Sequence, residues 1–333
     1  MRIDEDLKRN MDELCQELGM TMTTAFNLFA RKMVRDRRIP FEISIDSSLS
    51  SNPQQDFQIL ENGFLFKYKG NDTKAVVPDR IATIGNYAFQ NCTNLRHITL
   101  PNTVTVIGTR AFNGCTKLSS IDIPDFVTTI GEHAFEGCSS LESIIIPGTV
   151  TKIGRYMFNN CDKLMNIYIP RSVKSIEHSA FRNCGSLEVI DIPNSVTSIE
   201  AYSFPNCSSL HTVNLPENLA SIEPETFSGC SNLHTVNLPK KLKHIGSKAF
   251  FGCRMLQTLD FPSLTSIDEC AFEGCPNLHT ITLPQNLEHV ERGGFYGLKN
   301  CEIRIPDSPS KDAVIDSIDP RILKSGDITI TII

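Results

Sequence analysis

Nine cysteines keep one step along most of this chain: Cys92, Cys115, Cys138, Cys161, Cys184, Cys207, Cys230 and Cys253 lie 23 residues apart, and Cys275 follows. Thiols in such a row offer disulfide, metal or nucleophile chemistry. Equivalent positions of stacked coils stand roughly 5 Å apart, the spacing of neighbouring strands. Their Cβ vectors run parallel, however, which disfavours bridging. No C-x-x-C pair occurs, so the usual zinc spacing is missing. The row reads as reduced, buried thiols that pack as small hydrophobes. His211, His234 and His279 also share one repeat position, with His97 one residue along. No further ligands converge on them by spacing, so they read as a solvated row. No Ser-His-Asp, Cys-His or paired-carboxylate arrangement stands out from the repetition, and no glycine loop for phosphate is present. The expectation is a chain that is not an enzyme and carries no cofactor and no metal.

The element that positions these residues is a coil, exemplified by Pro101 to Ile123, PNTVTVIGTRAFNGCTKLSSIDI. Phenylalanine marks the same period at Phe89, Phe112, Phe135, Phe158, Phe181, Phe204, Phe227 and Phe250, then at Phe272 and Phe295. A fixed period of this size predicts a solenoid, in which no coil buries its apolar face alone. Each coil reads I-[GED]-x-x-[AS]-F-x-x-C-x-x-L-x-x-[IV]-x-[IL]-P. The L-x-x-I-x-I portion turns alternate side chains of a short strand inward. Proline then ends that strand, because it has no N–H for the ladder. The residue before each ladder cysteine is always Asn or Gly (Asn91, Gly114, Gly137, Asn160, Asn183, Asn206, Gly229, Gly252, Gly274), which predicts a corner with positive φ.

The C-x-x-L-x-x-I-x-I-P segment resembles the leucine-rich repeat, in its BspA-like class. About ten coils over residues 84–306 carry it, and at roughly 4.8 Å per strand they imply a concave sheet about 48 Å long. Residues 57–83 read as the N-terminal cap, with hairpin turn signals at Asn62-Gly63 and Gly70-Asn71. Residues 307–333 read as the C-terminal cap, closing on a strand through Ile328, Thr329, Ile330, Thr331 and Ile332. The register slips before it: Pro262 to Pro284 spans 22 residues, Cys270 is off the ladder, and the last coil lacks the ladder cysteine.

The outward row of the strands is Thr99, Asp122, Ile145, Tyr168, Asp191, Asn214, Asn237, Asp260 and Thr282. Ile145 and Tyr168 are apolar neighbours on a polar face, and Met165 extends them, a candidate hot spot for a protein partner. Asp122, Asp191 and Asp260 bias the row acidic, which suits a basic partner or serves solubility.

Residues 1–43 are different in kind. Leu7, Met11, Leu14, Cys15 and Leu18 form one helical face, and Gly19 ends that helix. A second helix starts at Thr23 as N-cap, runs to about Arg35 and buries Phe26, Phe29, Ala30 and Met33, and Pro40 stops any continuation. Two short helices bury too little surface alone, so this module is expected to dimerise. The words RIDEDLK, ELGMTMTTAFNLF and RIPFEI resemble the ribbon-helix-helix region of RelB/DinJ-type antitoxins. That resemblance implies a two-stranded ribbon in the DNA major groove, Arg2 facing the groove, and Thr23 and Thr24 near phosphate, as helix N-termini bind it. Eight Lys/Arg balance eight Asp/Glu over this stretch, while Arg31, Lys32, Arg35, Arg37 and Arg38 cluster at the end of the second helix. Residues 44–56, SIDSSLSSNPQQD, read as a linker.

The fold class expected is therefore α+β: a small ribbon-helix-helix module, a linker, and a capped leucine-rich-repeat solenoid. A net charge of −6 argues against non-specific coating of nucleic acid. No run of 18 apolar residues occurs, so no membrane span is expected. The opening MRIDEDLKRN lacks the apolar core of a signal peptide, which points to the cytoplasm. The leading expectation is a homodimeric interaction protein whose concave face takes a protein partner. DNA binding and autoregulation in a toxin–antitoxin setting come second, and a surface adhesion or host-interaction role third.

Overall fold

A coil of this chain turns because its strand-forming triplets are short and bounded by residues that cannot prolong them. The computed structural model describes residues 56–261, 263–291, 293–318 and 327–333. The chain divides into two units, Met1–Gln55 and Asp56–Ile333. The ribbon-helix-helix reading of residues 1–43, with Arg2, Thr23 and Thr24, lies outside the described residues.

The second unit is a β-solenoid of about eleven turns. Each turn supplies a two-residue strand, such as Val106–Ile107 or Thr129–Ile130, and a second strand of two or three residues, such as His97–Thr99 or Ser143–Ile145. Strands of each kind pair only with their counterparts in adjacent turns, parallel and in register: Ile107 with Ile130, and Tyr168 with Ile145. Two rows result, called here the short row and the long row. After most long-row strands the proline carbonyl accepts the N–H three residues on, as Pro101 does from Val104 at 3.1 Å. That turn returns the chain inward and explains the buried Val, Leu or Ile three residues after these prolines.

The interior is a column of rings. Phe89 through Phe295 stack face to face, with successive centroids 5.0–6.2 Å apart. Each is fully buried. Each Phe from Phe89 to Phe272 therefore has an aromatic ring above and below, worth about 0.5–1.5 kcal/mol per pair beyond burial. Beside them, Cys115 through Cys275 each turn Sγ to the carbonyl oxygen of the Phe one turn back, at 3.0–3.2 Å. All eleven described cysteines are free thiols.

The predicted corner is present. Asn91, Asn160, Asn183 and Asn206 have φ of 59° to 61°, and Gly114, Gly137, Gly229, Gly252 and Gly274 have φ of 70° to 75°. Where Asn fills successive corners the amides bond: Asn183 Nδ2 to Asn160 Oδ1 at 2.7 Å, and Asn206 Nδ2 to Asn183 Oδ1 at 2.9 Å.

Both ends differ in detail from the sequence reading. Asn62 and Gly63 do make a hairpin, between Phe57–Leu60 and Phe64–Tyr68. Gly70 and Asn71 do not: Phe64–Tyr68 joins the short row and Lys74–Val76 the long row, so they lie between the two rows. The stretch before residue 84 thus already makes a turn, and Tyr68 lies 5.2 Å from Phe89 to head the ring column. At the other end Ile328–Ile332 is a strand, parallel to Cys301–Ile305. A seven-residue helix, Lys311–Ser317, was not foreseen, because it is short and holds a single acid in its first turn. Among the described residues no helix is long and apolar enough to cross a membrane.

Candidate interaction surface

The long row has one face in the core and one outside, so the alternation within each triplet decides which residues a partner meets. Ile144 is buried while Ile145 is 53% exposed. In the next turn Tyr168 pairs in register with Ile145, and Met165 lies just ahead of it, exposed. Burial raises the Tyr168 hydroxyl above its ordinary pKa, and the charge of Arg171 works against that rise.

The sequence reading missed a fourth member. Val189 begins the strand Val189–Asp191 and is 46% exposed. Its signal was the first strand position, held elsewhere by Ser143, Asn166, Thr212 and Thr235, where a lone valine breaks a polar row. Ile145, Met165, Tyr168 and Val189 together make an apolar patch across three turns.

Carboxylates frame this patch. Asp122, Glu188 and Asp191 are exposed and Glu142 is half-buried, in the turns that carry or adjoin it. Asp260 lies four strands from Tyr168 along the row, in register with Thr282, and so stands apart from the patch. Between them Asn237 Nδ2 donates to Asn214 Oδ1 at 2.6 Å. The predicted residues thus fall into a compact group (Asp122, Ile145, Met165, Tyr168, Asp191) and one outlier.

A second strip, also unforeseen, lies at a repeat position with positive φ: Tyr87, Arg110, His133, Tyr156, Ser179, Tyr202, Glu225 and Lys248, at 53° to 61°. Most of these side chains project outward. The His133 and Tyr156 rings stack at 4.7 Å, and His178 continues the line, 5.5 Å from Tyr156 and 5.2 Å from Tyr202. His178 enters the line next to Ser179, whose small side chain is buried. Behind the strip, Glu136 accepts from His133 Nδ1 at 2.7 Å, Asn113 Nδ2 at 3.0 Å and Asn159 Nδ2 at 2.8 Å. These faces of the rings cover one another, so the strip acts as a brace across turns.

Buried ladder thiols are poor nucleophiles: burial pushes Cys138 up to about 12 and holds Cys161, Cys184, Cys230 and Cys253 well above the ordinary thiol value. Among the described residues no group of three or more His, Cys, Asp or Glu is placed to hold a metal.

Known proteins divide the chain in two. The family model described as BspA type Leucine rich repeat region matches residues 62–188 and 174–302 in six copies, and that of RelB antitoxin matches residues 1–55. No curated protein matches. Among solved structures, a leucine-rich repeat protein from Bacteroides ovatus ATCC 8483 is 25% identical with a TM-score of 0.51, over 78% of this chain and 83% of that one. The T. pallidum leucine-rich repeat protein is 32% identical over 62% of this chain and 91% of its own, with a TM-score of 0.45. A leucine-rich cell surface protein from Faecalibacterium prausnitzii A2-165 is 25% identical over 85% and 98%, with a TM-score of 0.48. With its repeats matched over most of its length, the chain belongs to the BspA-type leucine-rich repeat family, and it carries a RelB-antitoxin segment at its N-terminus.

Proposed function

We propose that this chain is a non-enzymatic protein–protein interaction protein, in which the repeats hold the partner and the N-terminal module pairs two chains. The observation that carries this reading is the group of exposed Ile145, Met165 and Val189 with half-buried Tyr168 on the outward side of the long row. Such side chains cost free energy in water and recover it when a partner covers them. The surrounding Asp122, Glu142, Glu188 and Asp191 favour a partner segment with an apolar anchor flanked by Lys or Arg. Free thiols throughout the repeats suit a reducing compartment, so the cytoplasm is the proposed site of action. The test is affinity capture by the full chain against a Tyr168→Ala, Ile145→Ser double variant. Loss of the captured partner at unchanged melting temperature supports the reading, and unchanged capture refutes it.

The RelB match over residues 1–55 favours a second reading, a DNA-binding, antitoxin-like transcriptional regulator. Arg2, Thr23 and Thr24 would then contact DNA. Fluorescence anisotropy with the upstream DNA and a scrambled duplex, at low and near-physiological salt, tests it. Selective binding that survives salt supports regulation. Equal binding lost with salt leaves the module as a dimeriser.

A further inference from the structure

One column of side chains at the entry to the long row runs Glu188, His211, His234 over three successive turns. The N–H of His211 meets the carbonyl of Glu188 at 3.1 Å, and that of His234 meets the carbonyl of His211 at 3.0 Å. The three residues are therefore one strand step apart, about 4.8 Å each. Both rings are anchored in the same way. Nδ1 of His211 lies 3.4 Å from the carbonyl oxygen of Ser209, and Nδ1 of His234 lies 2.6 Å from that of Asn232. A carbonyl oxygen only accepts, so Nδ1 is the donor in each contact, and Nε2 is the ring nitrogen left to meet a ligand. A backbone carbonyl on one ring nitrogen is the second-shell contact that orients metal-binding imidazoles and sets their tautomer. His211 and Glu188 are exposed and His234 is half-buried. No ring hydrogen bond engages either Nε2 among the described residues.

We propose that His211 and His234 together bind one late first-row divalent cation (Ni²⁺, Cu²⁺ or Zn²⁺) through their two Nε2 atoms. Imidazole nitrogen suits these ions, at about 2.0–2.1 Å. Two such bonds to a tetrahedral ion need nitrogens about 3.3 Å apart, so binding would draw the two rings together from the strand spacing of about 4.8 Å. Water completes the shell. With two protein ligands the site is a surface clasp rather than a closed structural centre, which fits the absence of any three-residue metal group. His279 is the internal control. It holds the same repeat position, but its neighbours there are Gln257 and Glu302, so it offers one imidazole.

The test is calorimetric titration of the tag-free full chain with Ni²⁺, chosen because it does not oxidise thiols. One site is expected in which His211→Ala and His234→Ala each weaken binding tenfold or more. His279→Ala leaves it unchanged, and all three variants keep the parent melting temperature. Zn²⁺ should compete for the same site. The proposal is overturned if no such site is detected, if His279→Ala weakens binding as much, or if the two variants leave it intact.

Discussion

The thiol of Cys161 donates to the carbonyl oxygen of Phe135, 3.2 Å away and one turn back. The same oxygen accepts the N–H of Cys138 at 3.1 Å. One carbonyl thus closes a turn within its own coil and receives a thiol from the next. This relationship recurs along the ladder and shows why cysteine stands there: it is small, apolar in bulk, and still carries a donor.

That burial makes stability sensitive to alkali. Folded Cys138 keeps its proton up to about 12, and Cys161, Cys184, Cys230 and Cys253 are likewise raised by burial. An unfolded thiol ionises near 8.5. The stabilisation is therefore whole below about pH 8.5 and falls as pH climbs towards the folded value, by about 1.4 kcal/mol per pH unit for each thiol. Denaturant melts at pH 7, 8, 9 and 10 should show this decline. Cys161→Ala should be less stable at pH 7 but fall less steeply above pH 8.5. An identical slope would exclude the thiols as its cause.

The ring column predicts a large, local cost. Phe158 lies between Phe135 at 5.7 Å and Phe181 at 5.4 Å. Phe158→Ala should lose about 3–5 kcal/mol, and Phe158→Leu less, because it retains more volume. Equilibrium urea unfolding measures both, and a Phe158→Leu variant as stable as the parent would contradict a role for the stacked faces.

Two glycines at one repeat position should respond differently to the same change. A Cβ on Gly114 would collide with Oδ1 of Asn91, whereas one on Gly252 would meet nothing closer than Gly229 at 3.9 Å. Both have positive φ, 73° and 70°, so alanine costs about 1–2 kcal/mol of backbone strain at either. Gly114→Ala should cost more, by whatever is needed to displace the Asn91 amide. Thermal melts of the two variants compare them directly, and an equal cost would contradict the asymmetry.

The apolar patch predicts a separation of binding from folding. Val189→Ser, at a position exposed to solvent, should weaken partner capture alongside Tyr168→Ala and Ile145→Ser, with a change in stability within about 0.5 kcal/mol. Asp260→Asn, remote from the patch along the row, should leave capture unchanged. Surface-immobilised capture compares the variants side by side, and a strong Asp260 effect would move the interface towards the C-terminal turns.

Much of the repeat unit was legible because its residues are chemically restricted. Only Asn and Gly occupy the corner before the cysteine, since both tolerate positive φ. The second positive-φ position was not legible, for a physical reason. Tyr87, Arg110, His133, Tyr156 and Lys248 have no common preference for that conformation. Neighbouring turns impose it instead, as when the Tyr156 N–H meets the His178 carbonyl at 3.0 Å and the Lys248 N–H meets that of Glu269 at 3.0 Å. Val189 escaped because the reading followed the third strand position and not the first. Gly70-Asn71 misled because a solenoid corner and a hairpin turn use the same residues.

We propose that the module of residues 1–43 joins two chains, each presenting its own repeat surface. Light scattering during size-exclusion chromatography tests it most directly, on the full chain and on residues 56–333. The account predicts a full chain at twice 37.1 kDa and a folded monomer once the first 55 residues are removed. A monomeric full-length chain would contradict it.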